Sequence, residues 1–178
     1  MAPLELPTLR DGDLILRPKR PEDADAVTAA CQDPEIPRWT MVPSPYTRRH
    51  AEEHLATVAE RARRGESVDL HAVDPDGALL GAFSLMALDR APGQGEIGYW
   101  VAAEARGRGV ATRAVRLLTE WGHRELGLER IELMAHDDNL ASRAVAERAG
   151  YAREPGLHPS PRIGVHEPVF VRYVSRGR

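Results

Sequence analysis

Arg106-Gly-Arg-Gly109 sets two glycines and two arginines between an apolar aromatic run, Ile97 to Val101, and a segment of helical spacing. Such a turn leaves the first N–H groups of the following helix unpartnered, and the helix dipole adds partial positive charge there. Gly107 and Gly109 permit close backbone approach and positive φ, while Arg106, Arg108 and Arg113 add cationic charge. The combination suits a phosphate, although the same glycines would also serve a plain tight turn. Two phosphate motifs are excluded. Thr112 stands where a dinucleotide fingerprint needs its third glycine, and the chain holds no G-x-x-x-x-G-K-[ST].

The elements that must position this turn follow from spacing. Ile97, Tyr99 and Val101 suit a strand, and Ala111, Ala114, Val115, Leu118 and Gly122 fall on one helical stripe. Upstream, Leu14-Ile-Leu-Arg17 reads as a first strand stopped by Pro18. Ala24, Val27 and Cys31 form the stripe of a first helix. Three prolines between Ile36 and Tyr46, Pro37, Pro43 and Pro45, predict a loop carrying Trp39, Met41 and Tyr46, either as a plug for the core's edge or as a wall of a cleft. Thr47 caps a helix ended by Gly65. Val68, Leu70 and Ala72 alternate with Asp69 and His71 as a half-buried strand, and Asp74-Pro-Asp-Gly77 is a hairpin turn into a strand over Leu79–Leu88. Ala91–Gly95 is the next turn. Beyond the central helix come a strand over Arg130–Ala135, a helix over Leu140–Ala149 capped by Gly150, a short strand from Tyr151 and a last strand over Glu167–Val174. This order predicts an α/β (α+β) fold with a mixed, mainly antiparallel sheet flanked by helices, as one domain over residues 1–178.

Arg106-Gly-Arg-Gly109-Val-Ala111 resembles the R/Q-x-x-G-x-G/A signature of the GNAT N-acetyltransferases. Glu96–Val101 before it, and Asp138-Asn139-Leu-Ala-Ser142 through Gly150-Tyr151 after it, resemble the RimJ/RimL-type branch. The specific resemblance covers Glu96 to Tyr151 and a looser one nearly the whole chain. It implies a twisted sheet whose central strand pair splays to admit the pantetheine arm of acetyl-CoA, with acetyl-CoA as cosubstrate. Its pyrophosphate would lie on the main-chain amides of Arg106, Gly107, Arg108, Gly109, Val110, Ala111 and Thr112.

The resemblance also implies the chemistry. Acyl transfer to an amine needs a neutral amine, a stabilised oxyanion and a protonated leaving thiolate. A main-chain N–H near Trp100 or Val101 would hold the oxyanion. Many members protonate the thiolate with a tyrosine, but that position here is Ala146; Ser142 matches the serine of the RimL-type N-x-x-S, with Asn139 capping its helix and holding the pantetheine amides. Ser142 also reads as an early-helix serine that satisfies backbone groups. Glu96 is the candidate base, on the strand face of Gly98 and Trp100, with His136, His166 and Glu167 as runners-up. Trp39 and Tyr46 would line the acceptor site. An α-amine of pKa about 8 is roughly a tenth neutral at pH 7, against a few parts in ten thousand for lysine. A protein N-terminal α-amine or another low-pKa amine therefore fits this base-poor set better than lysine, while Asp and Glu near the cleft leave open a cationic small-molecule amine such as an aminoglycoside or polyamine.

Composition sets the remaining bounds. The chain of 178 residues carries net charge −3, which argues against general nucleic-acid binding. Its single cysteine, Cys31, forms no intrachain disulfide, reads as a buried structural thiol, and with the absence of a leader or long apolar segment predicts a cytoplasmic, membrane-free protein. Lys19 is its only lysine. No metal is expected, and a homodimer is a family-level expectation. The leading reading is direct transfer in a ternary complex. Its rivals are an acyl-CoA-binding regulatory domain without turnover, suggested by Ala146, and a nucleic-acid module using the arginine-rich turn.

Overall fold

The computed structural model describes residues 4–88, 93–160 and 164–177. Among them, strands β1 (Leu9–Asp11), β2 (Leu14–Pro18), β3 (Val68–Val73), β4 (Leu79–Met86), β5 (Gln94–Val101), β6 (Arg130–His136), β7 (Ala152–Arg153), β8 (His158–Ser160) and β9 (Val165–Arg176) form one sheet. Its order is β1-β2-β3-β4-β5-β6-β9-β7, with β8 also on β9. Only β5 and β6 run parallel; every other described pair is antiparallel.

Period-two alternation divides this sheet into two working faces. Leu14 and Leu16, then Val68, Leu70 and Ala72, then Phe83 and Leu85, then Ile97, share the main core with Ala114, Val115 and Leu118 of α4 (Val110–Glu125). Tyr99 and Val101 pack against the same core, near α5 (Leu140–Arg148). The opposite parity lies under α1 (Ala24–Ala30), α2 (Glu35–Trp39) and α3 (Arg48–Arg63), where Ala24, Val27, Cys31, Ile36, Ala51 and Leu55 form a second cluster touching Trp100. Full burial of a Leu or Val contributes about 1.5–3 kcal/mol, so α4 is anchored beneath β5 at several points.

The local reasons match the sequence. Thr47 accepts from the His50 amide as the cap of α3, Gly65 takes φ +74° just past its end, and Gly77 takes φ +89° in the hairpin turn. Three expectations need correction. The proline-rich stretch contains a short helix, α2, because Pro37 sits in its first turn, where a missing N–H loses no helical bond. Strand β3 is buried at all six positions, because α1 and α3 cover the face that Asp69 and His71 occupy. The predicted ten-residue strand over Leu79–Leu88 ends at Met86. Strands β1 and β8 were not anticipated, being three residues each with little alternation. Of the turn expected over Ala91–Gly95, Ala91 and Pro92 lie outside the described residues.

Candidate active site

The parallel pairing of β5 and β6 holds for three residues and stops at Glu96 opposite Glu132. Beyond it β5 stays on β4, where Tyr99 pairs with Phe83 and Trp100 with Ala82, while β6 follows β9 through Leu133–Tyr173 to His136–Phe170. Each strand obeys its outer partner, so the two part and a wedge opens through the sheet. A cleft of about 1530 Å³ passes along it, lined from both helical layers.

On the α4 side the wall is mostly backbone. Gly107 and Gly109 have φ of +73° and +76°, values that side chains other than glycine rarely adopt, and a Cβ at either would meet nothing within 4 Å. Glycine is required here by the backbone angle, and the space beside it is open. Gly109 is the N-cap of α4 and supplies no side-chain cap, so the first amides of the helix face the cleft beside Ala111 and Thr112 without one. Helix-start amides left open in this way favour an anion. The arginines behave differently from their expected role. Arg106 donates to the Val101 carbonyl at 3.0 and 3.2 Å and pairs with Asp33 at 2.6 Å, so its guanidinium braces the turn. Arg113 pairs with Asp11 and Asp13 of the β1–β2 hairpin. Arg108 faces the small hollow by Asp13 and Leu80 and does not line the main cleft.

The wedge also selects between the two candidate amides. Ala102 N–H donates to the Leu80 carbonyl, so alternation turns the Trp100 amide toward β4 as well and the Val101 amide toward the open side. Tyr99 was missed by the sequence reading. Its ring stacks on Phe83 with centroids 5.4 Å apart, and its hydroxyl donates to Ser142 Oγ at 3.1 Å. Burial pushes the Tyr99 phenol up to about 12, so it stays protonated and leaves the Ser142 proton available to a partner in the cleft. The Ser142 amide donates to Asn139 Oδ1 at 3.1 Å, which makes Asn139 the cap of α5 while it lines the cleft. Ala146 is fully buried in the core.

The α1–α3 side of the wedge holds the remaining candidates. Glu96, Gly98 and Trp100 share this face, as alternation requires, and all line the cleft. Trp39 donates its indole N–H to Glu35 at 3.1 Å and lies 5.7 Å from the His136 ring, which in turn contacts Phe170 edge-on at 5.6 Å. Tyr46 packs against the second apolar cluster and also lines the cleft. His136 reaches the cleft, whereas His166 and Glu167 are exposed on β9 away from it. Burial pushes the Cys31 thiol up to about 11, which removes it as a nucleophile near neutral pH. Among the described residues no group of His, Cys, Asp and Glu could hold a metal ion, and no helix is long and apolar enough to cross a membrane.

Residues 13–152 match the family model described as Acetyltransferase (GNAT) domain. Over 108 residues the sequence is 38% identical to YdaF of Bacillus subtilis (strain 168), provisionally named a ribosomal N-acetyltransferase. That match covers 58% of each chain, so this one spans under two thirds of that relative's length. Mycobacterium smegmatis RimJ, solved with a CoA disulfide, superposes with a TM-score of 0.83 at 22% identity, covering 99% of this chain and 90% of that one. RimL, a ribosomal L7/L12 α-N-protein acetyltransferase solved with coenzyme A, gives 0.84 at 18% identity over 96% and 98%. At these identities both likenesses concern the fold.

Proposed function

We propose, for a chain that belongs to the GNAT acetyltransferase family, that it transfers an acetyl group from acetyl-CoA to a primary α-amine, of a protein N-terminus or a small molecule. The observation that carries this reading is the parting of β5 from β6 at Glu96, beside a glycine-capped helix start that offers backbone amides to an anion. RimL is named for an α-amine acceptor, and YdaF for a ribosomal one, which favours the same class here.

In this reading the amides of Gly107 and of Gly109 to Thr112 hold the pyrophosphate, and Asn139 positions the pantetheine arm in the wedge. Acetyl-CoA supplies the acetyl thioester. The Val101 amide donates to the carbonyl oxygen as negative charge gathers there, an arrangement fixed before reaction. The acceptor enters from the α1–α3 face past Trp39 and Tyr46, where Glu96 takes the proton released as nitrogen bonds to the acetyl carbon. Ser142, held by Tyr99 on the opposite face, passes its proton to sulfur as the C–S bond breaks and regains one from the cleft. The net movement is one proton from nitrogen to sulfur. With the Cys31 thiol protonated, transfer is direct, in a ternary complex.

Mass spectrometry of peptides incubated with protein and acetyl-CoA tests this. We expect one acetyl group on a free α-amine, little on an internal lysine, and a fall of about 10²–10⁴-fold in kcat for Ser142→Ala with unchanged acetyl-CoA affinity. Acetyl-CoA binding without any acetylated amine would instead favour the regulatory-domain rival, and unchanged turnover in Ser142→Ala would remove its acid role.

A further inference from the structure

The acceptor side of the cleft ends in charges that the transfer chemistry does not use. Lys19 follows β2 and turns inward until its side chain is only 4% exposed. Its Nζ donates to His54 Nε2 at 3.1 Å and lies 3.6 Å from Asp69 Oδ1. Asp69 Oδ2 lies 3.1 Å from Arg61 Nη2, and the carboxylate also accepts from Ser67 at 2.5 Å and Ser84 at 2.6 Å. All of these residues line the same cleft as Gly98 and Trp100.

Counting charge shows why this is more than a satisfied ion pair. Burial, helped by the charges of Lys19 and Arg61, pushes His54 down to about 4, so it is neutral near pH 7. Arg61 and Lys19, the latter's pKa lowered by burial against the pull of Asp69, then face one carboxylate. Of the other carboxylates along this part of the cleft, Glu35 pairs with Arg38, Glu53 with Arg49, and Glu66 lies 3.9 Å from Arg64. None of them is paired to Lys19 or Arg61, while Glu96 stands at the wedge. Arg61 is also held without directed bonds: its Nε and Nη2 have no hydrogen-bond partner among the described residues, and only charge draws Nη2 to Asp69. It can turn to a second anion while Asp69 keeps Lys19 and two hydroxyls.

Distance then defines the ligand. Asp69 pairs across the sheet with Ser84, and Ser84 with Gly98, so the cluster stands two strand spacings, about 10 Å, from β5 at the wedge. We propose that Lys19, Asp69 and Arg61 form a subsite for an anionic group of the acceptor, a carboxylate carried about 10 Å from the amine that is acetylated. Arg61 offers the carboxylate a planar pair of donors, and Lys19 supports it from beneath as a point charge. The proposal rests on reading the cleft as an amine-acceptor site. A peptide α-amine with Asp as its second or third residue meets the spacing, and so does a small amino acid such as ε-aminocaproate.

Calorimetric titration of the CoA-loaded full chain tests it without requiring turnover. The probes are Ser-Asp-Ala-Ala-amide, its isosteric partner Ser-Asn-Ala-Ala-amide, and ε-aminocaproate. The Asp peptide binds the wild type about tenfold or more tightly than the Asn peptide, and Arg61→Gln brings the two within about threefold while CoA affinity is unchanged. Arg61→Lys keeps part of the preference. Tighter, Arg61-dependent binding of ε-aminocaproate than of the Asp peptide assigns the subsite to small acceptors. Equal binding of all three probes, binding of none, or equal weakening of the Asp and Asn peptides by Arg61→Gln overturns the subsite. A preserved Asp preference in a protein that forms no acetylated product leaves the subsite standing and removes the transfer reading.

Discussion

The two arms of the cleft are built by opposite means. On the arm proposed for the cofactor the recognition groups would be backbone amides, released by two glycines at positive φ, while the nearby arginines pair with Asp33, Asp11 and Asp13. On the arm proposed for the acceptor they would be side chains, Lys19, His54, Arg61, Asp69 and Ser84, drawn from four separate elements or their flanks and packed together, with Lys19 and Asp69 buried and Arg61 partly exposed. A backbone site costs little to keep preorganised because the fold already fixes it. A buried charge cluster holds only while each partner is present. The first arm should therefore be sensitive to backbone angle and the second to charge.

The sharpest break of that contrast is Lys19→Met. It removes the more deeply buried of the two cations and leaves Asp69 to Arg61 and two hydroxyls, and we expect about 3 kcal/mol lower stability in urea unfolding, with acetyl-CoA affinity of the folded protein unchanged. Gly109→Asp does the reverse. It forces a side chain into φ +76°, worth about 1–2 kcal/mol of strain, and sets a carboxylate at the proposed phosphate site, so acetyl-CoA affinity should fall by about 10²-fold in calorimetry. Gly109→Ala, which keeps only the strain, should lose about tenfold.

Acidification separates the arms more gently. The folded His54 sits at about 4 against roughly 6.5 unfolded, so between these values the unfolded chain binds a proton that the folded chain does not. Stability is therefore lost as pH falls through that window, by at most about 2 kcal/mol between pH 6.5 and 5, and His54→Gln should flatten the dependence in denaturant midpoints. The smallest expected effect is Tyr99→Phe, about 1 kcal/mol of stability and a roughly tenfold lower kcat, with acetyl-CoA affinity retained.

The same contrast explains what the sequence made legible. Glycines at a strand-to-helix turn mark a backbone site locally, so Gly107, Gly109, the strand before them and the helix after them could be read within twenty residues. Asn139 and Ser142 were likewise readable, since a cap and the residue three beyond it lie on one turn. Tyr99 was hidden because its strand position reads equally well as core, and only the approach of α5 gives its hydroxyl a partner. The acceptor cluster was hidden by sequence distance: Lys19 stood out as the sole lysine but nothing near it named Asp69 or His54. Asp69 itself read as the solvent half of an alternating strand, because alternation reports two faces without saying that helices cover both.

Thermal unfolding of the wild type and of Gly109→Asp, each with acetyl-CoA and with ATP and NAD as controls, tests the central claim most directly. Acetyl-CoA at about a hundred times its wild-type dissociation constant should raise the wild-type midpoint by about 5–11 °C. The controls should leave it unmoved, and Gly109→Asp should lose most of the rise. No rise with acetyl-CoA in protein free of copurified cofactor, or an equal rise in Gly109→Asp, would contradict a cofactor site built on the backbone of this turn.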